Sequence, residues 1–186
     1  MNLEAALALL KGRRTNLRMD PERAVPDSLI ATLCEVAVWA PNHKLTEPWR
    51  FAAITGDARK DLGELAARVL VDGGVTDPAR LQKARVKYLR APVMLVVACA
   101  PDPDPVRHAE DLAAVAAGTQ NLLLAATSAG LASYWGTGLT ARSVEMLAFC
   151  DFEAGSEIVA MVYLGWPTSE APPTGRRPPV VTWVKD

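Results

Sequence analysis

The run from Ala109 to Gly130, AEDLAAVAAGTQNLLLAATSAG, constrains this chain more than any other stretch. Apart from Glu110 and Asp111 at its start it carries no charge, and its apolar residues fall on every side of a helical wheel. A helix that is apolar all round is a buried helix. About 20 residues at 1.5 Å each span roughly 30 Å, the width of a small domain. The acidic pair suits the positive helix N-terminus, and Gly130 supplies a left-handed C-terminal cap. Length alone would also allow a membrane span. Against that, Thr119, Gln120 and Asn121 lie together in the middle, where lipid leaves polar groups unsatisfied. The reading that follows is a central core helix, and an element of that size needs other layers or a second subunit around it.

The flanking sequence offers those layers. Asn2 can cap a helix to about Lys11, with Leu3, Leu7 and Leu10 on one face and Gly12 at its end. Asp27 can cap a second helix, with Leu29, Ile30, Leu33, Cys34, Ala37 and Val38 at helical period, and Pro41 stops it. A β-like segment runs from Arg50 to Thr55, and helices follow from Ala58 to about Leu70 and from Pro78 to about Leu89. The basic side chains of the latter read as a solvated face. Next comes PVMLVVACA, Pro92 to Ala100, a continuous β-branched run expected of a strand covered on both faces. Beyond Gly130 the pattern gives a short strand ending in glycines, a helix from Thr140 to about Phe149, and a last core strand from Glu157 to Leu164. A Pro-rich tail then ends on the β-like Val180 to Val184. This order predicts one α+β domain over residues 1–186, a three-layer sandwich of a small mixed sheet flanked by helices.

Several chemistries are disfavoured. A net charge of −1 advertises neither nucleic acid nor anionic lipid. Cys34, Cys99 and Cys150 are isolated in apolar contexts and read as reduced residues of a cytoplasmic protein. No glycine-rich dinucleotide fingerprint, Walker loop or metal-ligand spacing is present, and two histidines without a nucleophile elbow make a serine-hydrolase triad improbable.

Two loops remain as site candidates. Arg13-Arg14-Thr15-Asn16-Leu17-Arg18 holds three arginines in six residues just after a helix. It reads either as a solvated basic turn or as an anion site, since guanidinium forks match phosphate oxygens and Thr15 adds a donor. The loop Ala40-Pro41-Asn42-His43-Lys44-Leu45-Thr46-Glu47-Pro48-Trp49 is too polar for core and too rich in large rings for a linker. His43 is equally readable there as a surface histidine or a functional one.

Taken in order, these pieces resemble the nitroreductase family of FMN-dependent NAD(P)H oxidoreductases, and its short bacterial members especially. The resemblance rests on Arg13-Arg14-Thr15 after the first helix, Ala40-Pro41-Asn42-His43 followed by Glu47-Pro48-Trp49-Arg50-Phe51, and Arg90-Ala91-Pro92 before a hydrophobic strand. It extends through Trp135-Gly136-Thr137-Gly138, Leu164-Gly165-Trp166-Pro167 and Arg176-Arg177-Pro178. It implies a homodimer with two FMN sites at the subunit interface, the long helix shared between the two cores and the tail reaching onto the partner. It implies that Arg13 holds the FMN phosphate, with Arg14 and Thr15 bonding the phosphate or ribityl chain and Arg176 a second phosphate ligand. Trp39 and His43 occupy positions that reach the partner's FMN, while Trp135, Gly136 and Thr137 line the isoalloxazine. NADH or NADPH would donate hydride to flavin N5, and a nitroaromatic, quinone or similar acceptor would then take it, giving ping-pong kinetics with no strictly catalytic side chain. The alternative is a non-catalytic FMN-binding or flavin-storage dimer. The chain departs from the family pattern at Trp39 and Leu17, where relatives carry cations, and at Glu47 in place of a glutamine.

Overall fold

The computed structural model describes residues 2–185. Four strands form one sheet, β1 (Trp49–Thr55), β2 (Val93–Cys99), β3 (Ala132–Gly136) and β4 (Glu157–Gly165). Their order is β1-β2-β4-β3, and all three ladders are antiparallel. The expected mixed sheet reduces to one parallel bridge, between Thr15 and Ser133. The connections from β1 to β2 and from β3 to β4 begin and end at the same end of the sheet, which makes each pair antiparallel.

Every residue of β2 is buried. Val93, Leu95, Val97 and Cys99 join a cluster with α2 (Asp27–Ala37) and α5 (Pro105–Ser128). Met94 and Val96 join the opposite cluster with α3 (Ala58–Asp72), α4 (Pro78–Val86) and α6 (Val144–Phe149). The sheet is therefore the middle of three layers, and burial on both faces is why β2 reads as an unbroken apolar run. The first helix, α1 (Leu3–Gly12), starts at Asn2, whose side chain accepts from the Ala5 N–H at 2.9 Å. No residue of α1 is buried, and Leu3 is 75% exposed.

The central helix begins at Pro105 rather than Ala109. Asp104 caps it, accepting from the Val106 N–H at 2.9 Å, and proline at the first helical position has no N–H to lose. Glu110 and Asp111 consequently lie in the second turn, away from the helix terminus. The helix is sealed on one side only. Ala114, Val115, Gly118, Leu122, Leu123 and Ala126 are buried, whereas Ala109, Ala113 and Ala117 are exposed. Gly118 lets α2 cross closely, because a Cβ there would lie 2.6 Å from the Ala37 carbonyl oxygen and 2.8 Å from Trp49 Nε1. After Ala129, Gly130 takes the left-handed conformation expected of it, at φ 79°.

Other boundaries shift for local reasons. Pro26, not Asp27, occupies the cap of α2. At α3 the start at Ala58 holds, with Asp57 in the cap position, but its carboxylate pairs with Lys60 at 2.7 Å and makes no cap hydrogen bond. Thr140 opens a 3-10 turn (Thr140–Arg142), and Ser143 caps α6 by accepting from the Met146 N–H at 3.2 Å. The β-like Val180 to Val184 forms no strand here. Val180 and Val184 are 98% and 94% exposed, and among the described residues no strand pairs with them.

Candidate functional site

Past α1 the chain turns and lies along the start of β3. Thr15 bridges Ser133, and the Asn16 N–H donates to the Ser133 carbonyl at 3.0 Å. From the other side, the chain leaving β4 returns to the same turn. The Asp20 N–H donates to Trp166 O, and the Thr168 N–H to Arg18 O, each at 2.9 Å. Arg13, Arg14, Thr15 and Arg176 share the wall of one cavity of about 380 Å³ with Pro172, Pro173 and Thr174. No carboxylate lines it, and among the described residues none of its three guanidinium groups forms an ion pair. Three like charges around one cavity repel, and an anion between them relieves that repulsion.

The arginines are not equivalent. Arg14 Nη1 donates to the Lys11 carbonyl and, at 2.9 Å, to the Arg13 carbonyl, so Arg14 is tied to the end of α1. Arg13 is half-buried, and its guanidinium has no hydrogen-bond partner among the described residues. Leu17 packs into the α3 side of the core, and Arg18 Nη1 is turned to Ser169 Oγ at 3.5 Å.

Further along β3 lies the second group. The β2–β4 register slips between Val97 and Ala98, pairing Val97 with Ala160 but Ala98 with Ile158, so Val159 is the extra residue of a bulge. A bulge frees a carbonyl from the ladder. Trp135 Nε1 donates to that Val159 oxygen at 3.1 Å, which pins the indole across β4. A Cβ on Gly136 would lie 3.0 Å from the Tyr134 ring, so its missing side chain serves the strand's own packing. Thr137 opens onto a cleft of about 690 Å³, walled by Leu112, Arg142, Leu147, Glu157 and Val159 among others.

Trp39 and His43 lie elsewhere in the chain. His43 Nδ1 is 2.7 Å from Glu110 Oε2, beside the N-terminal half of α5, and Trp39 is 80% exposed. The arginine turn adjoins the other end of that helix, where Gly12, Arg14 and Thr127 line one cleft. Residues 110 and 127 are about 25 Å apart along the helix axis at 1.5 Å per residue. Within one chain the two groups do not meet. The His43 loop is strained, with Lys44, Leu45 and Glu47 at φ of 63°, 50° and 50°. Asn42 Oδ1 accepts from the Glu47 N–H at 2.9 Å, while Asn42 Nδ2 at 3.2 Å and the Thr46 hydroxyl both donate to Asp111. Asp111 is only 3% exposed, so a buried carboxylate holds the loop in its unusual conformation.

The model for the nitroreductase family matches residues 10–166. The chain belongs to the nitroreductase family. This places it among oxidoreductases. It is 28% identical over 174 residues to YfhC of Bacillus subtilis, a protein provisionally named as an NAD(P)H nitroreductase, covering 92% of this chain and 89% of that one. A nitroreductase-like family protein from Bacillus cereus superposes with a TM-score of 0.81 at 28% identity, covering 96% and 94% of the two chains. A Bacteroides fragilis nitroreductase crystallised with bound FMN gives 0.77 at 23% identity, covering 100% of both. The nitroreductase NfnB of Mycobacterium smegmatis, in complex with NADPH, gives 0.70 at 23%, covering 89% and 88%.

Burial pushes the thiols of Cys34 and Cys99 up to about 11 and that of Cys150 up to about 12, so none ionises near neutral pH. Among the described residues no cluster of His, Cys, Asp or Glu has the form of a metal site, and no helix is long and apolar enough to cross a membrane. Sequence reasoning missed Asn16 and Asp111. Asn16 had a signal, an asparagine two residues before a loop N–H that needs an acceptor. Asp111 had a weaker one, an acid inside a helix read as apolar.

Proposed function

We propose that this member of the nitroreductase family is a single-domain FMN-dependent oxidoreductase. It takes hydride from NADH or NADPH and reduces a small acceptor such as a nitroarene or a quinone. The observation that carries the reading is the cavity where Arg13, Arg14, Thr15 and Arg176 converge with no carboxylate among them. A phosphate monoester is the anion whose oxygens suit several guanidinium groups and a hydroxyl at once. The FMN bound to the B. fragilis relative and the NADPH bound to NfnB support the choice of cofactor and donor.

FMN, when bound, supplies reversible hydride exchange at its N5 atom. Arg13, Thr15 and Arg176 would hold the phosphate, with Arg14 fixing the turn they stand on. Trp135, Gly136 and Thr137 would line the isoalloxazine, and the cleft beyond Thr137 has room for a small aromatic acceptor. No side chain of the chain is assigned as an acid or base.

The working unit in this reading is a cytoplasmic homodimer. Leu3, Leu10, Val38, Trp39, Leu45 and Trp183 are exposed, and α5 presents an uncovered apolar side. So much exposed apolar surface marks an interface. Trp39 and His43 would then reach the partner's flavin, which accounts for their distance from Arg13 in one chain.

Initial-rate kinetics test the activity. NADH or NADPH oxidation with a nitroarene or quinone should give parallel double-reciprocal lines, and sedimentation equilibrium should give the mass of two chains. A flavin-loaded dimer with no turnover on any acceptor would make it a storage protein instead.

A further inference from the structure

Asn16 lies inside the arginine turn and is only 9% exposed. Its backbone N–H donates to the Ser133 carbonyl at 3.0 Å. Its side-chain Oδ1 accepts from the Arg18 N–H at 2.9 Å, and its Nδ2 donates to the Ser169 carbonyl at 2.8 Å. One residue thereby joins the arginine turn, the start of β3 and the start of the tail. Among the described residues, no hydrogen bond ties residues 170–185 to the rest of the chain beyond this point. Ser169 is thus the last anchored position before Arg176. Beside it the Thr168 N–H donates to the Arg18 carbonyl at 2.9 Å, and Arg18 Nη1 reaches Ser169 Oγ at 3.5 Å, so the tail leaves from the arginine turn itself.

We infer that Asn16 is the positioning residue of the cradle, and that through Ser169 it makes the site select a phosphorylated flavin over an unphosphorylated one. The inference rests on the FMN reading above. The task demands a side chain that is acceptor and donor at once, at a reach of two bonds beyond Cβ. Asparagine supplies both. Serine would keep the local turn, since its hydroxyl can also accept from the N–H two residues on, but it is too short to reach the tail. The contact to Ser169 is therefore separable from the fold of the turn.

The test titrates FMN and riboflavin into the full-length chain stripped of flavin, following quenching of flavin fluorescence, for the parent protein, Asn16→Ala and Asn16→Ser. Riboflavin lacks only the phosphate. The parent should prefer FMN by about a hundredfold or more, given charge-assisted bonds to more than one arginine. Both variants should lower that preference at least about tenfold while riboflavin affinity stays within about twofold, because the isoalloxazine wall is untouched. Asn16→Ser with the parent's preference overturns the inference, as does an equal loss of both flavins, which would mark a purely structural role. A parent that does not distinguish the two flavins sinks the phosphate reading itself, and the inference with it.

Discussion

Arg13→Ala should leave the purified protein colourless. Arg13 is the one guanidinium of the cradle with no hydrogen-bond partner among the described residues, and it is half-buried. Removing it takes away bonds to the phosphate that are each charge-assisted, worth about 1.5–3 kcal/mol apiece. Two such bonds correspond to a loss in FMN affinity of roughly a hundredfold to ten-thousandfold. The fold should not notice, since no protein group depends on that side chain. The ratio of flavin absorbance to protein absorbance after purification measures the effect directly. Arg14→Ala should act differently, loosening the end of α1, because Arg14 is spent on the Lys11 and Arg13 carbonyls. Full flavin occupancy in Arg13→Ala would remove the assignment of the phosphate to this cavity.

Leu122→Ala should be the most damaging single truncation in the central helix. Leu122 is fully buried in the cluster that joins α5 to α2 and to the inner face of β2 and β4. The site cannot collapse easily, because Gly118 already holds α2 at closest approach one turn away. A buried leucine cut to alanine costs about 2–5 kcal/mol, a large part of the 5–15 kcal/mol a domain has. For a chain of this size about 3 kcal/mol lowers Tm by roughly 6–12 °C. Differential scanning calorimetry of the flavin-free chain checks it. A shift of only a degree or two would mean that α5 is not the element on which the two layers are built.

The layers were legible because burial writes itself into periodicity. β2 shows an unbroken apolar run, and α2 shows apolar residues at helical spacing. Boundaries were less legible where one residue type has two uses. The apolar run starts at Ala109, yet Pro105, after Asp104, already opens α5. Asp27 looks like a cap, but it follows Pro26 into the helix. The all-round apolar character of α5 suggested complete burial, and the chain alone covers one side of it. A helical wheel records that a surface avoids water without recording which chain covers it. In the site, the arginine turn was visible as a local cluster of charge. Its tie to the tail runs from Asn16 to Ser169, a contact across most of the chain that spacing cannot reveal. Asp111 was hidden for the same reason, since its role is set by Asn42 and Thr46 from another loop.

If this chain binds FMN and passes hydride through it, the flavin itself reports both. The most direct measurement is the visible absorption spectrum of the freshly purified protein, recorded without oxygen before and after NADH or NADPH is added. The expected result is a yellow, flavin-type spectrum that bleaches with at least one of the two nucleotides and returns when a nitroarene or quinone is supplied. A flavin spectrum that neither nucleotide bleaches, or a colourless protein that takes up no added FMN, would contradict it.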